Sequence, residues 1–403
     1  MQTVRAARGR VVSHDGDVRA WVHLVDDPLV RAEQVDASTE VLPLRGLPVG
    51  IKDIIDVEGL PTRCGSEATT SPEPLTANAA CVNRLEQWGA VVIGKTATTE
   101  YGYFRPAATR NPAAPGCTPG GSSSGSAASV ASGQVPLALG TQTAGSTTRP
   151  ASFCGVAGLV MAHGSTDLAG VTGLSPTLDS LGVLARSVRD LALVHRLFAG
   201  TSAAPPAAGP AVIHVWRGSS LSAIDPSMAA AVDLAASALV GAGHRVEEFP
   251  WDDHVHTLAA DQPVVMAYEA ARERAALRDV APLISQSLRE LLDQGRRTTE
   301  DDYRAAIARC HASRTDLEHL LSDRRVIVGP AAPGPAPWGL EATGSPDLSR
   351  PWQALGLPVV AVPGIRAADG RPLGIQVIGL PGLEEEIFAV ATALEHRLQG
   401  ATV

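Results

Sequence analysis

Residues 119–155, PGGSSSGSAASVASGQVPLALGTQTAGSTTRPASFCG, concentrate serine, threonine and glycine. Such residues suit two tasks. A serine hydroxyl attacks a carbonyl once a neighbouring base takes its proton. Small residues let backbone N–H groups approach a ligand closely. A flexible linker of this composition would be polar throughout. This stretch instead runs into AASVASGQVPLALG, which reads as a short helix followed by a buried strand. Its first part is therefore a loop at a helix N-terminus, where unpaired N–H groups point outward. GTQTAGSTTRP (140–150) follows the strand and is again rich in small residues. Two such loops, joined by one helix–strand unit, can converge on a single point.

Two nearby patterns compete with that reading. Gly121-Ser122-Ser123-Ser124-Gly125 matches the nucleophile elbow G-x-S-x-G of α/β-hydrolase esterases, with Ser123 as nucleophile. An elbow needs a strand running into it, and the preceding ATRNPAAPGCTPGG carries three prolines. It also needs an Asp and then a His downstream, and none of the eleven histidines sits in a signature. Gly89–Thr96 matches the phosphate-binding pattern G-x-x-x-x-G-K-[ST]. Its four intervening residues, Ala-Val-Val-Ile, are apolar and three are β-branched, which suits a strand and not a cradle of exposed N–H groups. Lys95 then reads as a structural residue after that strand.

Three segments together resemble the amidase signature family of serine hydrolases. The family's central stretch runs approximately GGSSGGSAA…P.ALGTDTGGSIR.PA.FCG, against GGSSSGSAASVASGQVPLALGTQTAGSTTRPASFCG here. LPVGIKDIIDVEGLPTRCGS (47–66) is similar to its lysine motif, and GLPVVAVPG with RPLGIQVIG (356–364, 371–379) to its closing motif. The resemblance spans about residues 20–200 and 325–395. It implies a Ser–Ser–Lys triad with Ser146 as nucleophile, Ser122 as the bridging serine on a cis Gly121–Ser122 bond, and Lys52 as base. It further implies an oxyanion hole of the backbone N–H groups of Thr143, Ala144, Gly145 and Ser146. Gly121, Ser123, Thr141 and Arg149 are implied as supporting residues that do no chemistry. No metal and no cofactor are implied.

The chemistry stands on its own terms. Lysine deprotonates a serine only when it is itself neutral, and burial disfavours its charged form. Lys52 lies in the apolar run VGIKDII, which suits that need. Cys154 reads as a small packed core residue and Asp53 as a loop-bracing carboxylate. The sequence departs from the family at Ser124 and Ala144, both usually Gly, and at Gln142, usually Asp. It also reads GLVMA (158–162) where GLKPT is usual. These changes bear on substrate shape more than on reaction type.

The elements that must position these residues follow from periodicity. VGIKDIIDV, AVVIG, VPLALG, HVWRG, RVIVG, LPVVAVP and GIQVIG read as buried strands. Helical patterns span 78–89, 187–200 and 299–323; the last opens with Thr299 as a candidate N-cap followed by acids. Strands alternating with helices predict an α/β fold, and the resemblance specifies a single large domain over 1–403. Its core is a mixed, mostly parallel twisted sheet with helices on both faces. TSAAPPAAGP (201–210) reads as a linker into a variable helical excursion over about 211–323.

Composition fits. The chain has 403 residues, 45% hydrophobic and 4% aromatic, so its core is aliphatic. A net charge of −9 argues against a nucleic-acid partner. Five widely spaced cysteines without a CxxC suit reduced thiols in a cytoplasmic protein. Neither a signal peptide nor a membrane span is expected. The expected activity is hydrolysis of a small carboxamide or ureido C–N bond, and a homodimer is the common expectation for such enzymes. The alternatives are a glutaminase-type subunit of an amidotransferase complex, the Ser123 esterase, and an inactive scaffold or acyltransferase on the same fold. The first would usually be longer, with C-terminal Tyr and Asn-Leu signals not found here.

Overall fold

A computed structural model of the chain describes residues 1–69, 73–201, 211–321 and 324–403. The linker read at 201–210 lies, except for Thr201, outside the described residues. Among the described residues twelve strands form one sheet: β1 (Trp21–Leu24), β2 (Pro48–Lys52), β3 (Val91–Thr96), β4 (Leu137–Gln142), β5 (Ala157–Val160), β6 (Ser180–Ala185), β7 (Val212–Val215), β8 (Arg245–Glu248), β9 (Arg325–Pro330), β10 (Val359–Arg366), β11 (Pro372–Ile378) and β12 (Ala401–Thr402). Their spatial order is β1-β3-β2-β4-β6-β5-β10-β11-β9-β7-β8, with β12 on β10. The sheet is mixed. Parallel pairing joins β3-β2-β4 at one end and β9-β7-β8 at the other. The strands between them pair antiparallel. All seven strands expected from apolar runs are present, some of them shorter than the run.

The segment 211–323 contributes two strands as well as helices. β7 and β8 extend the sheet beyond β9, so the helical excursion is anchored to the same sheet. The helix over Glu300–Leu320 starts where the sequence suggested. Thr299 Oγ1 accepts from Asp302 N at 3.1 Å, and three acids occupy the first turn. The helix Val188–Ala199 is bounded by Ser187, whose side chain accepts from Asp190 N, and by Gly200 at φ 68°. Among the described residues no helix is long and apolar enough to cross a membrane.

Alternation along the strands sorts the core into two faces. Leu137, Leu139 and Val183 join one apolar cluster with the helices Ala80–Gln87, Val188–Ala199 and Glu384–Leu398. Ala138, Leu184 and Ala361 join another with Ala127 and Ala151, which lie on the helices Ser124–Ala131 and Thr148–Cys154. Those two helices are buried almost throughout, which explains their composition. A Cβ on Gly125 would sit 2.4 Å from both Ala20 O and Ala97 N. The serine and glycine run is thus what lets a helix press flat on the sheet.

This layout fixes where the loops meet. β2 and β4 are parallel neighbours, so Lys52 and Gln142, their last residues, end at the same edge. The helix Ser124–Ala131 precedes β4 and crosses back over the sheet, which returns its N-terminus to that edge. Ligands of α/β sheets bind outside the carboxyl ends of the strands for the same reason.

Candidate active site

Lys52 closes β2 with no exposed surface. Its Nζ lies 2.6 Å from Ser122 Oγ and 2.8 Å from Thr141 Oγ1. Burial pushes the ammonium down from 10.5 to about 7, and the Asp179 carboxylate opposes that shift. A large neutral fraction at physiological pH follows. Thr141, expected to brace the loop, touches Lys52 itself.

Ser122 follows a cis Gly121–Ser122 peptide bond. Threonine side chains crowd this point. A Cβ on Gly121 would lie 2.7 Å from Thr343 Cγ2 and 2.9 Å from Thr99 Cγ2. Arg149 Nη2 donates to Gly121 O at 2.6 Å and to Thr343 Oγ1 at 3.3 Å. Ser123 is fully buried. Its Oγ bridges the Thr141 carbonyl and N–H, each at 3.3 Å, and its own N–H donates to Ser146 O at 3.2 Å. The hydroxyl of the candidate elbow serine is therefore committed to the β4 backbone.

Ser146 sits in the loop after β4, between Gln142 and the helix Thr148–Cys154. Gln142 holds this loop. Its Oε1 accepts from Thr147 N at 2.9 Å, Thr148 N at 3.1 Å and Thr148 Oγ1 at 3.1 Å. Its Nε2 donates to Gln353 Oε1 at 3.1 Å. The backbone N–H groups of Thr143, Ala144, Gly145 and Ser146 make no hydrogen bond among the described residues. All four residues line a cavity.

That cavity has two lobes, which share Gly102, Ser122, Thr143 and Leu174 in their walls. The larger, about 250 Å³, includes Tyr101, Asp179, Glu273 and Arg274 in its lining. The smaller, about 30 Å³, is lined by Ser146, Ala144, Gly145, Arg149, Thr343 and Arg350, among others. The structure thus brings Lys52, Ser122, Ser146 and the four amides to one edge of the sheet. Ser122 stands where the lobes join.

Two polar residues were missed by the sequence reading. Asp179 is buried just before β6, and burial raises its carboxyl above the usual range. Its Oδ2 accepts from Leu174 N at 2.8 Å and Ser175 N at 2.9 Å, and its Oδ1 accepts from Thr143 Oγ1. Gln353 passes the Gln142 contact on to Ser180 Oγ at 3.1 Å and to Leu178 O. The one available signal was an isolated Asp or Gln in an apolar stretch, which does not say what it faces. Lys95 is structural: its Nζ lies 3.1 Å from Asp53 Oδ1 and 2.8 Å from Thr62 Oγ1, both ionic groups buried. Cys154 is buried and unpaired, and burial raises its thiol. Among the described residues no group of three His, Cys, Asp or Glu could hold a metal ion.

Comparisons with known proteins show the family. The family model described as Amidase matches residues 2–388. The 2-amino-5-chloromuconic acid deaminase of Comamonas testosteroni is 32% identical, over 91% of this chain and 86% of its own. A subunit of the glutamyl-tRNA(Gln) amidotransferase of Geobacter sp. (strain M21) is 30% identical, over 99% of this chain and 94% of its own. A crystal structure of an amidase superposes with a TM-score of 0.89 at 30% identity, covering 98% of this chain and 95% of that one. With the family model matched over nearly its whole length and relatives of 30% identity or more, the chain belongs to the amidase family of amide hydrolases.

Proposed function

We propose that the protein hydrolyses the C–N bond of a small carboxamide or ureido compound through an acyl-enzyme on Ser146. The observation that carries this reading is the 2.6 Å contact between Lys52 Nζ and Ser122 Oγ, at the wall of the cavity that Ser146 lines. Neutral Lys52 accepts the proton of Ser122 as Ser122 accepts that of Ser146. The Ser146 oxygen then adds to the amide carbon. The carbonyl oxygen becomes an anion and is received by the free amides of residues 143–146. One such donor is typically worth about 3 kcal/mol to the transition state. The relay returns its proton to the departing nitrogen, and water attacks the ester by the reverse path. Gln142 and the Ser123 N–H keep the attacking loop in place. Thr141 holds the lysine nitrogen toward Ser122.

The test is covalent labelling. A serine-reactive phosphonate is expected to modify Ser146, as read by peptide mapping, and the modification to be lost in Lys52→Ala. Label on Ser123 would move the nucleophile to the elbow, and no label on either serine would point to a scaffold.

A second reading is favoured by the amidotransferase components among the relatives: a glutaminase-type role within a complex. Co-purification with a partner chain and turnover of glutamine alone among simple amides would support it. Five buried, unpaired cysteines support a reducing, cytoplasmic setting.

A further inference from the structure

The two lobes differ in charge. Among the described residues, the charged groups lining the larger are Asp179, Glu273 and Arg274, whereas those lining the smaller are Arg149 and Arg350 alone. Arg149 is 3% exposed. It holds the Gly121 and Thr343 oxygens through Nη2, and its Nε and Nη1 are buried without a hydrogen-bond partner. Among the described residues no carboxylate forms an ion pair with it. Buried cations are ordinarily paired, because an unpaired one is costly to desolvate. The strain is visible in its acidity: burial, with the nearby Arg350 charge, lowers the guanidinium to about 9. Arg350 donates to Asp347 Oδ1 at 2.8 Å through Nη1, while its Nε is buried without a partner. Of the two cations beside Ser146, only Arg350 is ion-paired, to Asp347.

We infer that the smaller lobe receives an anionic carboxylate of the substrate, so that the preferred substrates are short carboxamides bearing a carboxylate near the reacting carbonyl. This inference rests on the hydrolytic reading above. The oxyanion of the reacting carbonyl is served by uncharged N–H donors, so the arginines are free for a second, permanent anion. A planar carboxylate matches the donor fork of a guanidinium, and Arg350 is the partner less committed to the backbone. The lobe is small, about 30 Å³, which excludes a long acyl chain.

The test uses Ser146→Ala, which binds without turnover. It is titrated calorimetrically with monoamides of dicarboxylic acids having one to three methylenes, each against its neutral diamide. At least one monoamide is expected to bind about tenfold or more tighter than its diamide. The ratio is expected to collapse when Arg350→Gln is added, and Arg350→Lys to retain part of it. If Arg350→Gln does not fold, raising salt from about 0.05 M to about 0.5 M on Ser146→Ala should weaken the monoamide and spare the diamide. Equal binding of every pair, or a preference that survives both Arg350→Gln and high salt, would overturn the inference. Turnover of the same compounds by the unaltered protein separates the two readings. Selective binding without turnover sinks hydrolysis alone, and equal kcat/KM for both members of every pair sinks the carboxylate site alone.

Discussion

Gln142 and Gln353 meet side chain to side chain, Nε2 to Oε1 at 3.1 Å, although 211 residues separate them. Through this contact the loop that carries Ser146 is tied to the segment before β10. The Gln142 oxygen simultaneously serves the first amides of the helix Thr148–Cys154. A carboxylate at position 142 could accept those bonds but could not donate to Gln353. The amide at 142 and the amide at 353 thus form one device.

Gln142→Leu is expected to leave the Thr147 and Thr148 amides unpaired in a buried site. The cost should be about 2–6 kcal/mol of unfolding free energy, from about 1–3 kcal/mol for each of the two orphaned amides. Gln142→Asp should fall between Gln142→Leu and the parent, since it keeps acceptors and loses the donor. Denaturant unfolding monitored by circular dichroism checks both values.

Lys52 makes a prediction about pH and stability. Its folded-state value of about 7 lies below the ordinary 10.5. The folded protein therefore binds fewer protons than the unfolded chain between those values, and stability attributable to this group rises with pH across that window. The penalty of the buried charge is full below pH 7 and fades toward pH 10. Relative to Lys52→Met, the parent should gain on the order of 4 kcal/mol between these limits. Unfolding measured in parallel from pH 6 to about 10 reads the difference; parallel curves would refute a depressed lysine.

The same group sets the rate profile. kcat/KM of the parent should rise through an acid limb near pH 7, as Lys52 loses its proton. Asp179 opposes the depression of Lys52, so Asp179→Asn removes a negative charge and should move that limb to lower pH. An unmoved limb would show that Asp179 serves only to hold Thr143 and the Leu174 and Ser175 amides.

Ser122→Ala should lower kcat by roughly 10²–10⁴-fold, the usual range for a lost proton-transfer partner, with KM little changed. The same drop in phosphonate labelling rate at Ser146 would assign the effect to nucleophile activation.

Gly125→Ala tests packing alone. Its Cβ would meet two backbone atoms at 2.4 Å, and backbone cannot swing aside as a side chain can. A loss of about 1–3 kcal/mol or more is expected, visible as a lowered melting temperature.

Much of the molecule was legible in the chain. Strands appeared as β-branched apolar runs because a buried strand needs apolar residues on both faces. The cap of the helix at 300 appeared because Thr299 satisfies a local N–H group. Lys52 stood out by its place in the apolar run VGIKDII, and the serine–glycine loops by their composition. Short or polar strands escaped: β8, RVEE, carries no apolar alternation and is held by pairing with β7. The strands β5 and β6 escaped too, since each is only a brief run of small and aliphatic residues.

What sequence alone settled was therefore local: which residues could be a base, a nucleophile or an oxyanion loop, and which runs must be buried. Tertiary structure decided what those residues face. Asp179 beside Thr143, Gln353 beside Gln142, and Arg350 beside Arg149 are each partners across 36 to 211 positions. Such contacts depend on strand order, because two parallel neighbours end at one edge wherever they lie in the chain. No local pattern encodes that order, so the charge and shape of the cavity emerge only when the sheet is assembled.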